Sequence, residues 1–120
     1  MGSNPTLSAT AQLDPSEIID KLRRKKLAMP KFNVYVLRSL RDKGLYIGST
    51  RDLKTRLRLH NDGAVRSTSP RRPFELIFYE AYRSEYDAKG REIYLKSTRG
   101  RTTLKTMLRN FLETTEGTAP

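Results

Sequence analysis

The run from Asn33 to His60, NVYVLRSLRDKGLYIGSTRDLKTRLRLH, constrains the fold most. It holds two short apolar segments separated by turn chemistry, and a helical pattern follows at once. Val34 to Leu37 are β-branched, aromatic or apolar, the signal of a buried strand. Arg41-Asp42-Lys43-Gly44 supplies a turn, with Gly44 the residue expected at positive φ. Leu45-Tyr46-Ile47 reads as the second strand, Gly48 as its end, and the two strands as a hairpin. Ser49 and Thr50 offer N-caps for a helix from about Arg51 to His60, which Asn61-Asp62-Gly63 closes with Gly63 as the left-handed cap. On that helix Leu53, Arg56, Leu57 and His60 follow i, i+3, i+4, i+7 spacing and share one face. Arg56 and His60 are therefore expected along the core-facing side.

Further on, Phe74 to Tyr82 reads as a third strand. Ser84 to Asp87 resembles a capping box for a helix ending near Ser97, with Ala88, Glu92 and Leu95 on one face. Gly90 in its middle costs about 1 kcal/mol relative to alanine and brings no visible benefit. Leu104, Met107, Leu108, Phe111 and Leu112 follow helical spacing and predict one last core helix, with the tail from Glu113 frayed. At the other end, residues 1–13 are small, polar and aperiodic and read as disordered. Asp14-Pro15-Ser16-Glu17 begins a helix with a short stripe of Ile18, Ile19 and Leu22 and a basic end, Arg23-Arg24-Lys25-Lys26. That helix reads as loosely docked or as a basic arm along a nucleic-acid backbone. Met29, just before the compact pattern, offers a natural start. The expected organisation is a flexible extension over 1–30, a compact domain over 31–112 and a tail over 113–120.

Charge restricts the partners. The 120 residues carry a formal net charge of +11, with an isoelectric point near 10.3. Residues 1–30 hold 5 Lys+Arg against 3 Asp+Glu, a balance of +2, so +9 belongs to the remainder. Basicity of this size favours polyanions, chiefly nucleic acid. No apolar run approaches the roughly 20 residues that span a bilayer, and no signal-peptide core opens the chain; a cytoplasmic protein without a membrane partner is expected. The chain has no cysteine and one histidine, which removes disulfides and zinc–thiolate sites and disfavours zinc. A metal would be a hard ion on a carboxylate, such as Mg²⁺.

Five residues can carry phosphodiester chemistry. Glu92, on the Ala88/Leu95 face, needs a partner because glutamate is rarely buried alone. It is either salt-bridged to Lys96 or Arg56, or it ligates a divalent cation at a phosphate. Arg56 can stabilise transition-state charge with its planar fork, or snorkel at the surface beside Leu53 and Leu57. His60 can donate to a phosphate oxygen or shuttle a proton, or be structural. Tyr35 and Tyr46 are core aromatics with one wet end, or one of them activates water. An ordinary phenol pKa near 10 would then need help from a neighbouring cation or from hydrogen bonds. The loop 64–73 adds Arg66, Arg71 and Arg72 for phosphate contact, with Ser67 to Ser69 as hydroxyl donors, or is simply solvated. Lys96 is a further candidate for nucleic-acid contact.

In order, these residues resemble the GIY-YIG nuclease superfamily. They look most like its small stand-alone bacterial members, similar to the N-terminal nuclease domain of the excision-repair subunit UvrC. The resemblance covers about residues 31–112. Its second triplet is intact as Tyr46-Ile47-Gly48; the first is degenerate, Asn33-Val34-Tyr35, with the tyrosine kept. The Arg-x-x-x-His pair is Arg56 and His60, and the metal-binding glutamate falls on Glu92. Pro73-Phe74-Glu75-Leu76 and Lys96 through Arg101 also look like the small members. The resemblance implies an α/β (α+β) fold, a three-stranded antiparallel sheet flanked by helices in ββαβαα order. It implies Mg²⁺- or Mn²⁺-dependent phosphodiester hydrolysis, with a tyrosine near the attacking water, Arg56 at the phosphate and Glu92 on the metal. Some branches add a downstream asparagine; Asn110 is the one candidate here. The expected activity is a DNA endonuclease of low sequence specificity in repair or processing. Its target choice would come from the basic loop and arm, from DNA structure or from a partner protein. The alternatives are a nucleic-acid-binding module of the same fold without efficient catalysis, and a nuclease acting on RNA.

Overall fold

The computed structural model describes residues 14–25 and 28–115. Helix α1 spans Pro15–Arg24, strand β1 Phe32–Ser39, β2 Leu45–Thr50, helix α2 Leu53–Asn61 and β3 Phe74–Tyr82. Then come α3 at Glu85–Lys96, α4 at Thr98–Met107 and α5 at Arg109–Thr115, with a 3₁₀ turn at Ser69–Arg71 between α2 and β3. The sheet is antiparallel with strand order β2-β1-β3. This is the α+β architecture that the resemblance implied.

Central strand β1 is buried without alternation from Val34 to Ser39, because helices cover both faces of the sheet. Val34 and Val36 join Ile47, Ala88, Leu95 and Leu104 on the side of α3 and α4. Tyr35 and Leu37 join Phe74, with Tyr46, Leu53, Leu57 and Leu76 packed around them, on the side of α2. Burial of this kind stabilises by about 25 cal/mol per Å² of apolar surface, and the period of two decides which chemistry reaches which side.

The hairpin differs from expectation at its glycines. The left-handed residue of the turn is Lys43 (φ 65°), not Gly44. Gly44 meets a different demand: a Cβ there would lie 2.6 Å from the Arg71 guanidinium. Gly48 does not end β2; it pairs with Tyr35 in mid-strand. Its missing side chain admits the Tyr35 phenol, since a Cβ would lie 2.5 Å from the hydroxyl oxygen. Ser49 and Thr50 are strand residues. The cap of α2 is Asp52, whose carboxylate accepts from the Thr55 N–H at 3.1 Å. Gly63 does take the left-handed conformation beyond α2, at φ 81°.

Ser84 caps α3 as read, accepting from the Asp87 N–H. The last helix is two helices. Ser97 ends α3 and caps α4, accepting from the Gly100 N–H at 3.0 Å, and Leu108 (φ −104°) separates α4 from α5. Leu104 is fully buried, whereas Met107 is 46% exposed and so is no core residue. Helix α5 continues past Glu113 to Thr115. Gly90 has open space around it; nothing in the structure explains it. Helix α1 carries the expected capping box of Asp14 and Glu17, and none of its residues is buried. Residues 1–13, read as disordered, lie outside the described residues, as do Lys26 and the end of the tail.

Candidate active site

Tyr35, Arg56 and His60 come together on the α2 face of the sheet. The Tyr35 hydroxyl lies 2.9 Å from His60 Nε2 and accepts from Arg56 Nε at 3.4 Å. On the far side of the imidazole, Nδ1 lies 2.8 Å from the Thr68 hydroxyl, which itself donates to the Val65 carbonyl at 3.3 Å. The Val65 carbonyl also accepts from the backbone N–H groups of Thr68 and Ser69 at 3.1 and 2.9 Å, so the direction of the chain follows the tautomer of His60. With the proton on Nδ1, Thr68 accepts from it and Nε2 offers a lone pair to the Tyr35 O–H; with the proton on Nε2, Thr68 donates to Nδ1 and Nε2–H donates to the Tyr35 oxygen.

Burial tunes these groups. His60 and Thr68 are essentially inaccessible, as is Tyr35. Burial, and secondarily the Arg56 charge, holds the His60 pKa below its ordinary 6.5, so the imidazole is neutral at neutral pH. Burial pushes the Tyr35 phenol up, and the hydrogen bond from Arg56 partly offsets this. The same contact with Tyr35 raises the pKa of Arg56. Tyr46 is half-buried and packs edgewise on the His60 ring, 5.0 Å between centroids. Phe74 closes the other side of that ring at 5.8 Å. Asn61 fastens the start of β3 to α2, accepting from the Phe74 N–H at 2.6 Å and donating to its carbonyl at 3.1 Å.

Glu92 stands apart, on the α3 face. Its Oε1 accepts from the Ser49 hydroxyl at 2.7 Å and its Oε2 from Lys96 Nζ at 2.8 Å. Lys89 Nζ lies 3.7 Å from Oε1. Of the two salt-bridge partners read from the sequence, Lys96 is the one present; Arg56 turns to Tyr35 instead. Burial opposes the charge on Glu92, but Lys96, Ser49 and Lys89 outweigh it and hold the pKa below its ordinary value. The carboxylate is thus ionised, and its side chain keeps 14% exposure. The halves are close enough that Glu92's charge contributes to raising the Tyr35 pKa.

This donor set fits a lightly held hard cation. No group of three or more His, Cys, Asp or Glu side chains clusters among the described residues, and Mg²⁺ needs only one or two carboxylates with water and substrate phosphate completing its shell.

The loop arginines are less free than their composition suggested. Arg71 donates to Asp42 at 2.8 Å, lowering the Asp42 pKa to about 2. Arg72 donates to the Ser69 carbonyl at 2.8 Å. Arg66 is exposed. Thr68, read with Ser67 and Ser69 as a donor to phosphate, is instead 1% exposed and turned inward onto His60. Asn110 lies exposed on α5. Ser49, Lys89 and Thr68 were not picked out for these roles: small polar residues give no periodic signal, and only the strand and loop geometry aims them.

The fold is that of a small nuclease domain, a class whose substrate is nucleic acid. A model of the GIY-YIG catalytic domain matches residues 31–105, and the chain belongs to that family, whose nucleases generally depend on a divalent metal. Its relatives include a UPF0213 protein of Clostridium perfringens, 36% identical over 64 residues, which is 52% of this chain and 68% of that protein. The UPF0213 protein YazA of Bacillus subtilis is 42% identical over 57 residues, 47% of this chain and 58% of YazA. A UPF0213 protein of Pediococcus pentosaceus is 34% identical over 85 residues, 70% of this chain and 88% of that relative. No solved structure matches the chain significantly. No helix among the described residues is long and apolar enough to cross a membrane.

Proposed function

We propose that this chain is a divalent-metal-dependent endonuclease that hydrolyses DNA phosphodiester bonds with little sequence preference. The observation that carries the reading is the Tyr35 phenol held between Arg56 and a neutral His60, which we read in the tautomer that leaves Nε2 its lone pair. A neutral phenol cannot take a proton from water unless it sheds its own. Here it has an acceptor at hydrogen-bond distance. As water attacks phosphorus, its proton passes to the Tyr35 oxygen while the Tyr35 proton passes to His60 Nε2. The imidazolium that results keeps Nδ1–H on Thr68. Arg56 neutralises the charge that develops on the phosphoryl oxygens. Glu92 would hold the divalent ion, Mg²⁺ or Mn²⁺, which when bound polarises the scissile phosphate and assists the leaving oxygen. Tyr46, half-buried against His60, is the more accessible of the two phenols.

Low sequence preference rests on the basic surface, which meets backbone phosphate rather than base edges. Arg66 is the exposed loop cation suited to that contact. A role in DNA repair or processing, a cytoplasmic location and a partner protein that chooses targets belong to the same reading.

The test is nicking of supercoiled, branched and single-stranded DNA, with RNA in competition. Cleavage with Mg²⁺ or Mn²⁺ that EDTA and Glu92→Ala both abolish is expected. Activity that survives either treatment overturns the metal assignment. Salt-sensitive binding without cleavage of any nucleic acid would instead identify a binding module.

A further inference from the structure

We infer that Ser49 is a positioning residue for Glu92: its hydroxyl fixes the orientation of the carboxylate that meets the metal. The inference rests on the reading of Glu92 as the metal ligand and deepens it.

The argument begins with strand geometry. On β2, Tyr46 and Gly48 point toward α2, and Gly48 makes room there for the Tyr35 phenol. By alternation Ile47 and Ser49 point toward α3, Ile47 into the core and Ser49 onto Glu92. One short edge strand thus serves both halves of the site. A one-residue shift in register would exchange the two sides.

The hydrogen bond also has a defined direction. Lys89 Nζ, which can only donate, lies 3.0 Å from the Ser49 oxygen. Its proton occupies a lone pair and leaves the Ser49 O–H to point at Glu92 Oε1, 2.7 Å away. Chained donors of this kind polarise one another. The serine therefore presents a fixed dipole to one carboxylate oxygen. The other oxygen, Oε2, faces only the ammonium of Lys96, on a side chain that is half exposed. A half-exposed lysine is a weakly held ion-pair partner that gives way at little cost; the Ser49 hydroxyl is carried on a strand and is also held by Lys89. Ser49 thus keeps hold of one carboxylate oxygen while the other has only an exchangeable partner among the described residues. Partners that orient ligating groups typically change metal affinity by roughly 10–100-fold when removed. Ser49 and Lys89 also line a depression of about 170 Å³ with Asn33, Thr50 and Arg51, so solvent reaches the cluster from that side.

The experiment measures Mn²⁺ binding to the full chain by loss of the free-ion EPR signal, in the presence of a short DNA duplex. The duplex without protein supplies the blank for Mn²⁺ held by DNA alone, and Glu92→Gln is measured beside the wild type. Ser49→Ala is expected to weaken Mn²⁺ binding about tenfold, and Ser49→Thr to restore it to within about twofold by the same hydrogen bond. The thermal midpoint in EDTA should be unchanged for both. Wild-type Mn²⁺ affinity in Ser49→Ala, with binding lost in Glu92→Gln, overturns the positioning role and leaves the ligand assignment standing. Undiminished binding in Glu92→Gln overturns the ligand assignment itself. Should Ser49→Ala lower the midpoint, Ser49→Cys decides. Its thiol keeps the volume but donates weakly, so weakened Mn²⁺ binding supports the role and wild-type binding refutes it.

Discussion

The two faces of the sheet handle charge in opposite ways. On the α2 face, Tyr35, His60 and Thr68 are buried, and a continuous hydrogen-bond chain joins them to a backbone carbonyl. On the α3 face, Glu92 sits at the rim among Ser49, Lys89 and Lys96, with two mobile ammonium groups within reach. Proton transfer rewards the first arrangement, because donor and acceptor must be aligned before reaction. An exchangeable cation and a passing phosphate reward the second, because both must enter and leave. One nuclease domain can thus join a rigid half to an open half along a single edge strand.

Arg56 tests this contrast most severely, since it joins the buried chain from its exposed end. Arg56→Ala should lower the cleavage rate by about 10²–10³-fold while leaving Mn²⁺ affinity within about twofold. A matching loss of Mn²⁺ affinity would mean that the two faces act as one unit.

Thr68→Val probes the closed end of the same chain. The substitution keeps the shape but leaves the buried His60 Nδ1 without its hydrogen-bond partner, at a cost of about 1–3 kcal/mol; urea unfolding measures it. His60 also makes stability depend on pH. Its pKa is lowered in the folded state, so below 6.5 the unfolded chain binds a proton that the native chain refuses. Stability should fall as pH drops through 6.5 toward the lower folded value and level off beneath it. Replacing His60 by Gln should flatten that part of the curve. Unchanged curvature in His60→Gln would assign the titration to another group.

The smallest effect belongs to the open surface. Arg66→Ala should weaken DNA binding without altering the metal requirement and should reduce the magnitude of the salt slope by about 1. A loss of cleavage at saturating DNA would place Arg66 in the reaction instead.

Some of this was legible in residue order. The helical spacing of Leu53, Arg56, Leu57 and His60 placed an arginine and a histidine on an inward face, and the Ala88/Leu95 stripe did the same for Glu92. Turn details were less legible. Lys43 rather than Gly44 takes the positive φ, and Gly44 instead lies against the tip of Arg71, 27 residues away in sequence. Gly48 looked like a strand end and proved to be a strand interior, because what it must clear is the Tyr35 phenol on a neighbouring strand.

The sequence by itself determined the three strands, the helices between and after them and the basic charge of the domain, though not the break at Leu108, since periodicity, capping and charge are properties of neighbouring residues. It also determined which chemical groups were available. Only the tertiary structure decided their partners. Thr68 turned from solvent to His60, Ser49 left a helix cap for Glu92, and Glu92 took Lys96 rather than Arg56. Hydrogen bonds fall off within a few tenths of an ångström and demand alignment, so they depend on the register of β1 with β2 and on the path of the loop after α2. No spacing rule along the chain encodes either.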